Sequence, residues 1–149
     1  MSTSSSSQII RCPKCGANNR VAANQATDKQ PVCGRCKTPL VAVTHPAIIT
    51  DDNFASEVEK SPLPVLLDLW AAWCGPCRLI APTIEALAKE LSGRVLVGKL
   101  NVDENQRTAA RFGVQSIPTL LILKNGREVN RIVGVQSKEA ILQTLKPYL

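Results

Sequence analysis

Six cysteines occur in this chain, and all of them belong to Cys-x-x-Cys pairs. The three pairs are Cys12 and Cys15, Cys33 and Cys36, and Cys74 and Cys77. Thiols at this spacing can share a metal ion with a second pair, exchange electrons as a dithiol, or form a structural disulfide. In a reducing compartment, three complete pairs favour metal or redox chemistry over structural disulfides. The elements around each pair must decide which chemistry applies.

The Cys74–Cys77 pair lies at a predicted junction between a strand and a helix. The apolar run at 65–70, interrupted only by Asp68, predicts a strand buried on both faces, and apolar residues recur at helical spacing over 79–91. Unpaired amides and the helix dipole stabilise an anion at the first turn of a helix. We therefore expect the Cys74 thiol to ionise readily, with Cys77 one turn deeper and more shielded.

A dithiol at such a junction can carry out thiol–disulfide exchange. The Cys74 thiolate attacks a substrate disulfide to form a mixed disulfide, and Cys77 then attacks Cys74 and releases the reduced substrate. Gly75 permits the tight turn between the cysteines, and Pro76 suits the first helical position, where its missing N–H costs nothing. The alternatives for this pair are a structural disulfide or half of a metal site.

The two N-terminal pairs enclose a short polar segment. Seventeen residues separate Cys15 from Cys33, and the segment 9–40 has too few large apolar side chains to fold by hydrophobic burial alone. Four thiolates around one tetrahedral zinc ion would supply the missing stabilisation, with Cys12, Cys15, Cys33 and Cys36 as ligands of a closed, structural site. A pair of disulfides and a second redox dithiol are the alternatives.

Length and composition limit the domain organisation. The 149 residues, 44% of them apolar, suffice for one ordinary domain and a small appendage, and no apolar stretch is long enough to cross a bilayer. Residues 1–8 are serine-rich and lack a basic region and an apolar core, so we predict a disordered leader and not a secretory signal. Together with the cysteine pattern, this predicts a cytoplasmic protein. The predicted division is leader 1–8, zinc-binding module 9–40, linker 41–47 and second domain 48–149.

The net charge of +6 is concentrated near the N-terminus. Residues 1–47 carry six Lys and Arg against one Asp, whereas residues 48–149 carry twelve basic and eleven acidic side chains. A basic metal-binding module makes a nucleic-acid-binding or protein-binding adaptor an alternative function. Because residues 9–40 contain no aromatic side chain to stack on a base and no basic helix to enter a groove, we do not expect nucleic acid as a partner.

The second domain alternates helices and strands. Helices are predicted at 50–60, 76–91, 104–112 and 137–149, and strands at 65–70, 95–100, 119–124 and 128–133. Asn125-Gly126 is the preferred two-residue turn between the last two strands, Ser137 is the predicted N-cap of the last helix, and Pro82 should kink the longest one. The pattern predicts an α/β fold, with a mixed central sheet covered by helices on both faces.

The segment Trp73-Cys74-Gly75-Pro76-Cys77, preceded by Asp68 and followed by Ile117-Pro118-Thr119, resembles the thioredoxin family. The resemblance extends from about residue 48 to the C-terminus, and it implies the thioredoxin fold and a protein-disulfide reductase. The two leading cysteine pairs make the chain most similar to the zinc-containing thioredoxin 2 subfamily.

This resemblance also implies partners. Electrons would come from NADPH through thioredoxin reductase, without an organic cofactor in the chain itself, and would go to disulfide-containing client proteins such as ribonucleotide reductase. We expect a monomer without membrane contact. A thiol oxidase or disulfide isomerase of the same fold is the alternative, but such enzymes typically carry a histidine where this chain has Gly75-Pro76.

Two charged residues gain roles from the resemblance. From the residues alone, Asp68 could be a buried acid or a surface residue of an edge strand, and Lys99 is best interpreted as an exposed strand lysine. The resemblance implies that Asp68 is a buried acid with a raised pKa that exchanges a proton with Cys77, and that Lys99 lies near it.

The segment before the 119–124 strand is the other implied part of the site. X–Pro bonds are mostly trans, but the resemblance implies a cis bond at Pro118, opposite the dithiol. An extended substrate could pair with the backbone of Ile117 as an added strand does. The substrate should also contact a flat, apolar rim formed by Trp73, Gly75, Pro76 and Gly134. Trp70 could belong to the core or to this rim, and His45 is assigned no role.

Overall fold

The computed structural model describes residues 7–12, 14–22, 32–38 and 45–149. Its first elements are two short antiparallel strands, β1 (Ser7–Arg11) and β2 (Asn18–Ala22). β1 begins at Ser7, inside the segment 1–8 that was predicted to be a disordered leader. The prediction failed because this strand is defined by backbone pairing with β2, and its serine-rich start has no apolar pattern that would indicate a strand. The rest of that leader, residues 1–6, lies outside the described residues, as do residues 41–44 of the predicted linker.

A mixed sheet forms the centre of the molecule, as predicted, but it has five strands where four were predicted. The missed strand, Ala47–Ile48, is only two residues long and begins in the predicted linker. Its strands are β3 (Ala47–Ile48), β4 (Val65–Trp70), β5 (Leu96–Asn101), β6 (Thr119–Lys124) and β7 (Arg127–Val133), in the order β3-β5-β4-β6-β7. β3, β5 and β4 are parallel, and β6 and β7 are antiparallel to their neighbours. The turn between β6 and β7 has Asn125 and Gly126 at positive φ, as the predicted two-residue turn requires.

Helices cover both faces of this sheet. The helices are α1 (Gly75–Glu90), α2 (Gln106–Arg111) and α3 (Lys138–Leu145), with a π-helical turn at Ala55–Glu59 and a 3-10 turn at Lys146–Tyr148. α1 and α3 bury their apolar sides against one face. The π-helical turn contributes to the cluster on the opposite face, and the α2 region packs against that cluster. None of the helices in the described part of the chain combines the length and apolar character needed to span a bilayer.

The alternation of side chains along the two central parallel strands positions the site. On β4, Leu66 lies in the cluster under α1 and Leu67 in the opposite cluster, and on β5 Val97 lies under α1. Because successive strand residues point to opposite faces, Asp68 and Trp70 of β4 and Lys99 of β5 all point to the α1 side.

Three helix predictions needed correction. The predicted helix 50–60 is a turn followed by the π-helical turn, and its start is held by reciprocal bonds between the side chains and amides of Thr50 and Asn53. α2 is shorter than predicted. α3 gives way to a 3-10 turn after Leu145, because Pro147 has no N–H to continue the ladder. α1 continues through Pro82, and Ser137 caps α3 as predicted, its Oγ accepting from the Ala140 amide at 3.1 Å.

Candidate active site and four-cysteine cluster

Cys74 and Cys77 lie at the junction between β4 and α1, as predicted. They form a disulfide with their Cα atoms 5.3 Å apart, a separation typical of such bonds. Cys74 is the N-cap of α1, and its Sγ accepts a hydrogen bond from the Cys77 amide at 3.1 Å. The same amide would stabilise a Cys74 thiolate after reduction. Pro76 occupies the second helical position, because α1 begins one residue earlier than predicted.

The two cysteine residues are buried to the same extent, although Cys77 was predicted to be the more shielded of the two. Cys74 is 3% exposed and Cys77 is 4% exposed. The reason is local packing: the Cys74 Sγ lies 3.8 Å from the carbonyl oxygen of Ile117, and Trp70 and Ala71 pack against the same small cluster.

The backbone opposite the dithiol matches the expectation from the resemblance. The Ile117–Pro118 bond is cis, and Pro118 is buried while Ile117 is half-buried. The Gly134 amide donates to the Pro118 carbonyl at 2.8 Å, and Gly134 itself adopts a positive φ of 89°. This bond joins the end of β7 to the segment before β6, so that Ile117 and Gly134 lie on adjacent backbone segments beside the site.

The predicted rim residues differ in exposure. Trp73 is 70% exposed, and its indole Nε1 donates to the Asp103 carboxylate at 2.8 Å. Gly75 and Pro76 are exposed, and Gly134 is half-buried. The sequence analysis missed Asp103, because it lies 30 positions after Trp73 and no local pattern links the two.

Asp68 is buried, with 1% of its surface exposed. Burial raises the pKa of Asp68 to about 6, and the positive charge of Lys99 opposes that rise. Neither carboxylate oxygen has a hydrogen-bond partner among the described residues. Lys99 is half-buried and not the exposed lysine that its sequence context alone favours. Its ammonium Nζ lies 4.8 Å from the centre of the Trp70 ring.

The four N-terminal cysteines form a second cluster of sulfurs. All four Sγ atoms lie within 4.8 Å of one another, with 3.5 Å between those of Cys12 and Cys36 and 3.7 Å between those of Cys15 and Cys33. Zinc–sulfur bonds of about 2.3 Å in a tetrahedron require sulfurs about 3.8 Å apart. The four thiols therefore fit one tetrahedral metal ion, with no further ligand needed.

Two similar turns present these sulfurs. In the first, the Cys12 Sγ accepts from the Lys14 and Cys15 amides at 3.4 and 3.5 Å. In the second, the Cys33 Sγ accepts from the Arg35 amide at 3.3 Å, and the amides of Cys36 and Arg35 lower the pKa of the Cys33 thiol to about 6. Amides directed at sulfur favour thiolates, the form that binds metal.

The residue after each pair closes its turn with a positive φ. These residues are Gly16, at 77°, and Lys37, at 67°. Within the second pair, the Gly34 amide donates to the side chain of Asn19 at 2.9 Å.

The sequence profile of the thioredoxin family matches residues 45–147, more than two thirds of the chain. This chain belongs to the thioredoxin family. Thioredoxin 1 of the cyanobacterium Nostoc sp. is 46% identical over 103 residues, which cover 69% of this chain and 96% of the relative. Thioredoxin of Haemophilus influenzae is 48% identical over 101 residues, 68% of this chain and 94% of the relative.

Family membership and the site agree on the chemistry. The protein has the thioredoxin fold, with a four-cysteine cluster near its N-terminus, and it is a thiol–disulfide oxidoreductase whose Cys74–Cys77 pair fits the active site. The family also implies thioredoxin reductase and disulfide-bearing proteins as partners. The four-cysteine cluster lies outside the matched residues and could bind a metal ion.

The cluster and the thioredoxin dithiol lie at opposite ends of the central sheet. The dithiol follows the carboxyl end of β4, whereas the residue before Cys12, Arg11, pairs with Glu57 in the π-helical turn that precedes β4. A cavity of about 850 Å³ separates the two parts there, lined by Ile10 and by Leu63 and Leu96 at the amino ends of β4 and β5. Sequence reasoning missed the ion pair, whose partners are 46 positions apart.

Sequence analysis also missed the role of Asp51. Its carboxylate accepts from the amide and the hydroxyl of Thr108 at 2.9 and 2.7 Å and so caps α2, whose own N-cap residue, Asn105, makes no capping bond. The Thr108 hydrogen bonds lower the pKa of Asp51. Asp51 thus ties the turn that precedes the π-helical turn to the start of α2.

Proposed function

We propose that this thioredoxin is a protein-disulfide reductase in which Cys74 is the nucleophile and Cys77 the resolving thiol. The observation that carries the proposal is the position of Cys74 as N-cap of α1, with its sulfur accepting the Cys77 amide. That amide and the helix dipole lower the energy of the thiolate, and the thiolate is the form that attacks a disulfide.

The reaction follows from these two positions. The Cys74 thiolate attacks one sulfur of a client disulfide, a bond forms between them, and the other client sulfur leaves as a thiolate. Cys77 then loses its proton and attacks Cys74, so the client is released as a dithiol and the enzyme holds the Cys74–Cys77 disulfide. Two electrons from NADPH, delivered by thioredoxin reductase, restore the dithiol.

We assign the remaining site residues by where they lie. Asp68 is the only carboxyl group that the structure describes as buried without a partner, and a pKa of about 6 suits a group that takes a proton from Cys77 near neutral pH. Lys99 modulates that carboxyl group. Pro118 keeps the Ile117 backbone beside the Cys74 sulfur, where an extended client segment can pair with it.

The client contacts the surface around the dithiol. Trp73, Gly75, Pro76 and Gly134 are the proposed contact residues. The indole of Trp73 offers a large exposed apolar surface, which its bond to Asp103 holds in one orientation.

The four-cysteine cluster is proposed to hold one structural Zn²⁺ through Cys12, Cys15, Cys33 and Cys36. Bound zinc would supply the stabilisation that the segment 9–40, with its small core, lacks. Because zinc-bound thiolates are themselves oxidised by peroxide, we also propose that the module responds to oxidation by losing its metal. We extend the proposal to a cytoplasmic monomer divided into the module 9–40 and the thioredoxin domain 48–149.

The reductase proposal is tested by trapping the intermediate. Cys77→Ser should accumulate a mixed disulfide between Cys74 and a disulfide-containing protein such as insulin, visible as a higher-mass band that reducing agent removes. Cys74→Ser should form no such band and should not reduce insulin. A band of equal yield from Cys74→Ser would overturn the assigned roles.

The zinc proposal is tested in the whole protein by titrating it with hydrogen peroxide while measuring released zinc and insulin reduction together. We expect about one zinc ion per chain to be released as the four thiols are lost. Turnover that stays constant after complete release would show that the metal is structural only. Absence of zinc from the purified protein would overturn the site itself.

A further inference from the structure

Lys99 has two groups within reach on its face of the sheet. Asp68 and Lys99 are direct partners across the parallel ladder between β4 and β5. Trp70 follows Asp68 by two residues on the same face. The Lys99 ammonium can therefore approach either the Asp68 carboxyl group or the face of the Trp70 indole.

The ammonium lies on the indole. Its Nζ is 4.8 Å from the ring centre, within the roughly 6 Å over which a cation is attracted to an aromatic face. The Asp68 oxygens, in contrast, have no hydrogen-bond partner among the described residues. A buried carboxyl group left without a partner holds its proton more tightly than one that is paired with a cation.

The other surroundings of Asp68 supply no competing charge. Its ladder neighbour on β6 is the apolar Leu120, and α1, which packs on this face, contributes the uncharged disulfide sulfur of Cys77 at its first turn. Within the described part of the chain, Lys99 is the one charged side chain whose field acts on Asp68. The basicity of Asp68 is therefore set by its burial and by where Lys99 places its charge.

We propose that Trp70 is a positioning residue: its indole competes with the Asp68 carboxylate for the Lys99 ammonium and so keeps Asp68 basic enough to accept the proton of Cys77. The consequence for catalysis rests on the proton exchange in the proposed function. Trp70, which also packs against the small cluster at the dithiol, thus gains a role beyond core packing or client contact, the two roles between which its sequence context could not decide.

The test measures the pKa of Asp68 directly, by carbon NMR of its labelled carboxyl group. The disulfide form of the full-length protein is used, so that neither Cys74 nor Cys77 titrates. The variants are Trp70→Leu, Trp70→Phe, Lys99→Met and the double variant Trp70→Leu with Lys99→Met. Trp70→Phe keeps an aromatic face and most of the packing, so it remains informative if Trp70→Leu does not fold.

In Trp70→Leu the Lys99 ammonium is free to pair with Asp68, and the pKa of Asp68 should fall by about 1, the lower end of the effect of a nearby opposite charge. Trp70→Phe should lower it less, because phenylalanine attracts a cation more weakly than tryptophan. Lys99→Met should raise it. In the Lys99→Met background, Trp70→Leu should produce no further fall.

The double variant decides the outcome. If Trp70→Leu lowers the pKa of Asp68 equally with Lys99 present and in the Lys99→Met background, Trp70 acts by excluding water. If the pKa of Asp68 in Trp70→Leu is unchanged or higher, Trp70 does not restrain Lys99. Either result overturns the proposal. If the pKa behaves as expected but the rate at which Cys77 resolves the mixed disulfide is unchanged in Trp70→Phe, the positioning of Lys99 stands and the proton role of Asp68 in the proposed function fails.

Discussion

The Cys74–Cys77 pair and the N-terminal pairs share one spacing but lie in opposite kinds of backbone. After Cys74 the chain enters α1 and continues in one direction for 16 residues. After Cys12 and after Cys33 the chain reverses within six residues, because the amide of each cysteine donates at 2.8 Å to the carbonyl of a residue five positions later, Ala17 or Thr38.

This difference decides how many sulfurs meet. A reversing turn presents its two sulfurs at the tip of a short loop, where a second such loop can bring two more, and the four Sγ atoms then fit a metal. A helix start presents one sulfur to its own amides and covers the other with the following turn, so the pair is confined to its own disulfide. The two-residue spacing brings the two thiols of each pair together. Whether the pair can meet a second pair around a metal ion or forms its own disulfide depends on whether the following backbone is a reversing turn or a helix.

The largest expected effect comes from removing one sulfur from each region. Cys12→Ser should abolish stoichiometric zinc binding, because three thiolates and a hydroxyl form a much weaker site, while insulin reduction persists. Cys74→Ser should reduce insulin turnover to background and keep one zinc ion per chain. Zinc content by atomic absorption and turnover are measured on the same samples.

The matched control is Cys77→Ser, which also removes one sulfur from the dithiol and should retain zinc. If Cys12→Ser lost as much turnover as Cys74→Ser, the two regions would be one functional unit, and the comparison between them would fail.

A second expected effect concerns Asp68, the buried acid that lies near the dithiol and has no counterpart at the four-cysteine cluster among the described residues. The pKa of Asp68 is raised from its ordinary value to about 6, so the folded state binds this proton more tightly than the unfolded chain does. Stability therefore falls as pH rises from about 4 to about 6, and the loss remains above that range. Asp68→Asn, which imitates the protonated acid, should raise the free energy of unfolding by roughly 3 kcal/mol at pH 8 and by almost nothing at pH 3.

Urea unfolding of the disulfide form at the two pH values measures this difference. Asp52→Asn is the control, because Asp52 is an acid with a 97% exposed side chain and should show no such pH-dependent gain. Equal effects of Asp68→Asn at pH 3 and pH 8 would mean that the carboxyl group is not held neutral by burial. The variant should also slow insulin reduction, since it cannot accept the Cys77 proton.

The sequence was most informative where a local pattern determines the structure. The β6 strand at Thr119–Lys124 matches its predicted bounds, because four consecutive apolar residues between Pro118 and Asn125-Gly126 leave room for only a short strand. The meeting of the four cysteines could also be predicted, because a segment with so few large apolar side chains is expected to need a metal or another crosslink to fold. The cis bond at Pro118 could be reached only through the family resemblance, since the residues themselves favour trans.

The remainder depends on contacts between distant parts of the chain. The Trp73–Asp103 bond and the Arg11–Glu57 pair each join polar groups that are far apart in the sequence, and no local sequence pattern identifies either partner. The position of Lys99 depends on a choice between two groups of the neighbouring strand β4, Asp68 and Trp70, and only the three-dimensional structure shows which one it takes. Such contacts are set by tertiary packing, which overrides local preference.

The smallest expected effect compares the two turns of the cluster with each other. Gly16 and Lys37 occupy equivalent positions with φ of 77° and 67°, a conformation that costs an L-residue roughly 1 kcal/mol or more. A Cβ at Gly16 would meet only the flexible side chain of Arg11, at 3.6 Å, so the cost of Gly16→Ala is backbone strain and not a clash. We expect Gly16→Ala to weaken zinc binding about fivefold in competition with a chromophoric chelator.

Lys37→Gly should strengthen zinc binding by no more than about threefold, because the relief of strain is offset by the greater freedom of glycine in the unfolded chain. Gly34→Ala is the matched control: its φ is not positive, and the nearest atom to its Cβ would be the Asn19 Oδ1 at 3.8 Å, an ordinary contact. It should therefore bind zinc as the wild type does. If Gly34→Ala weakened zinc binding as much as Gly16→Ala, the positive φ at Gly16 would not be the cause of the weaker binding.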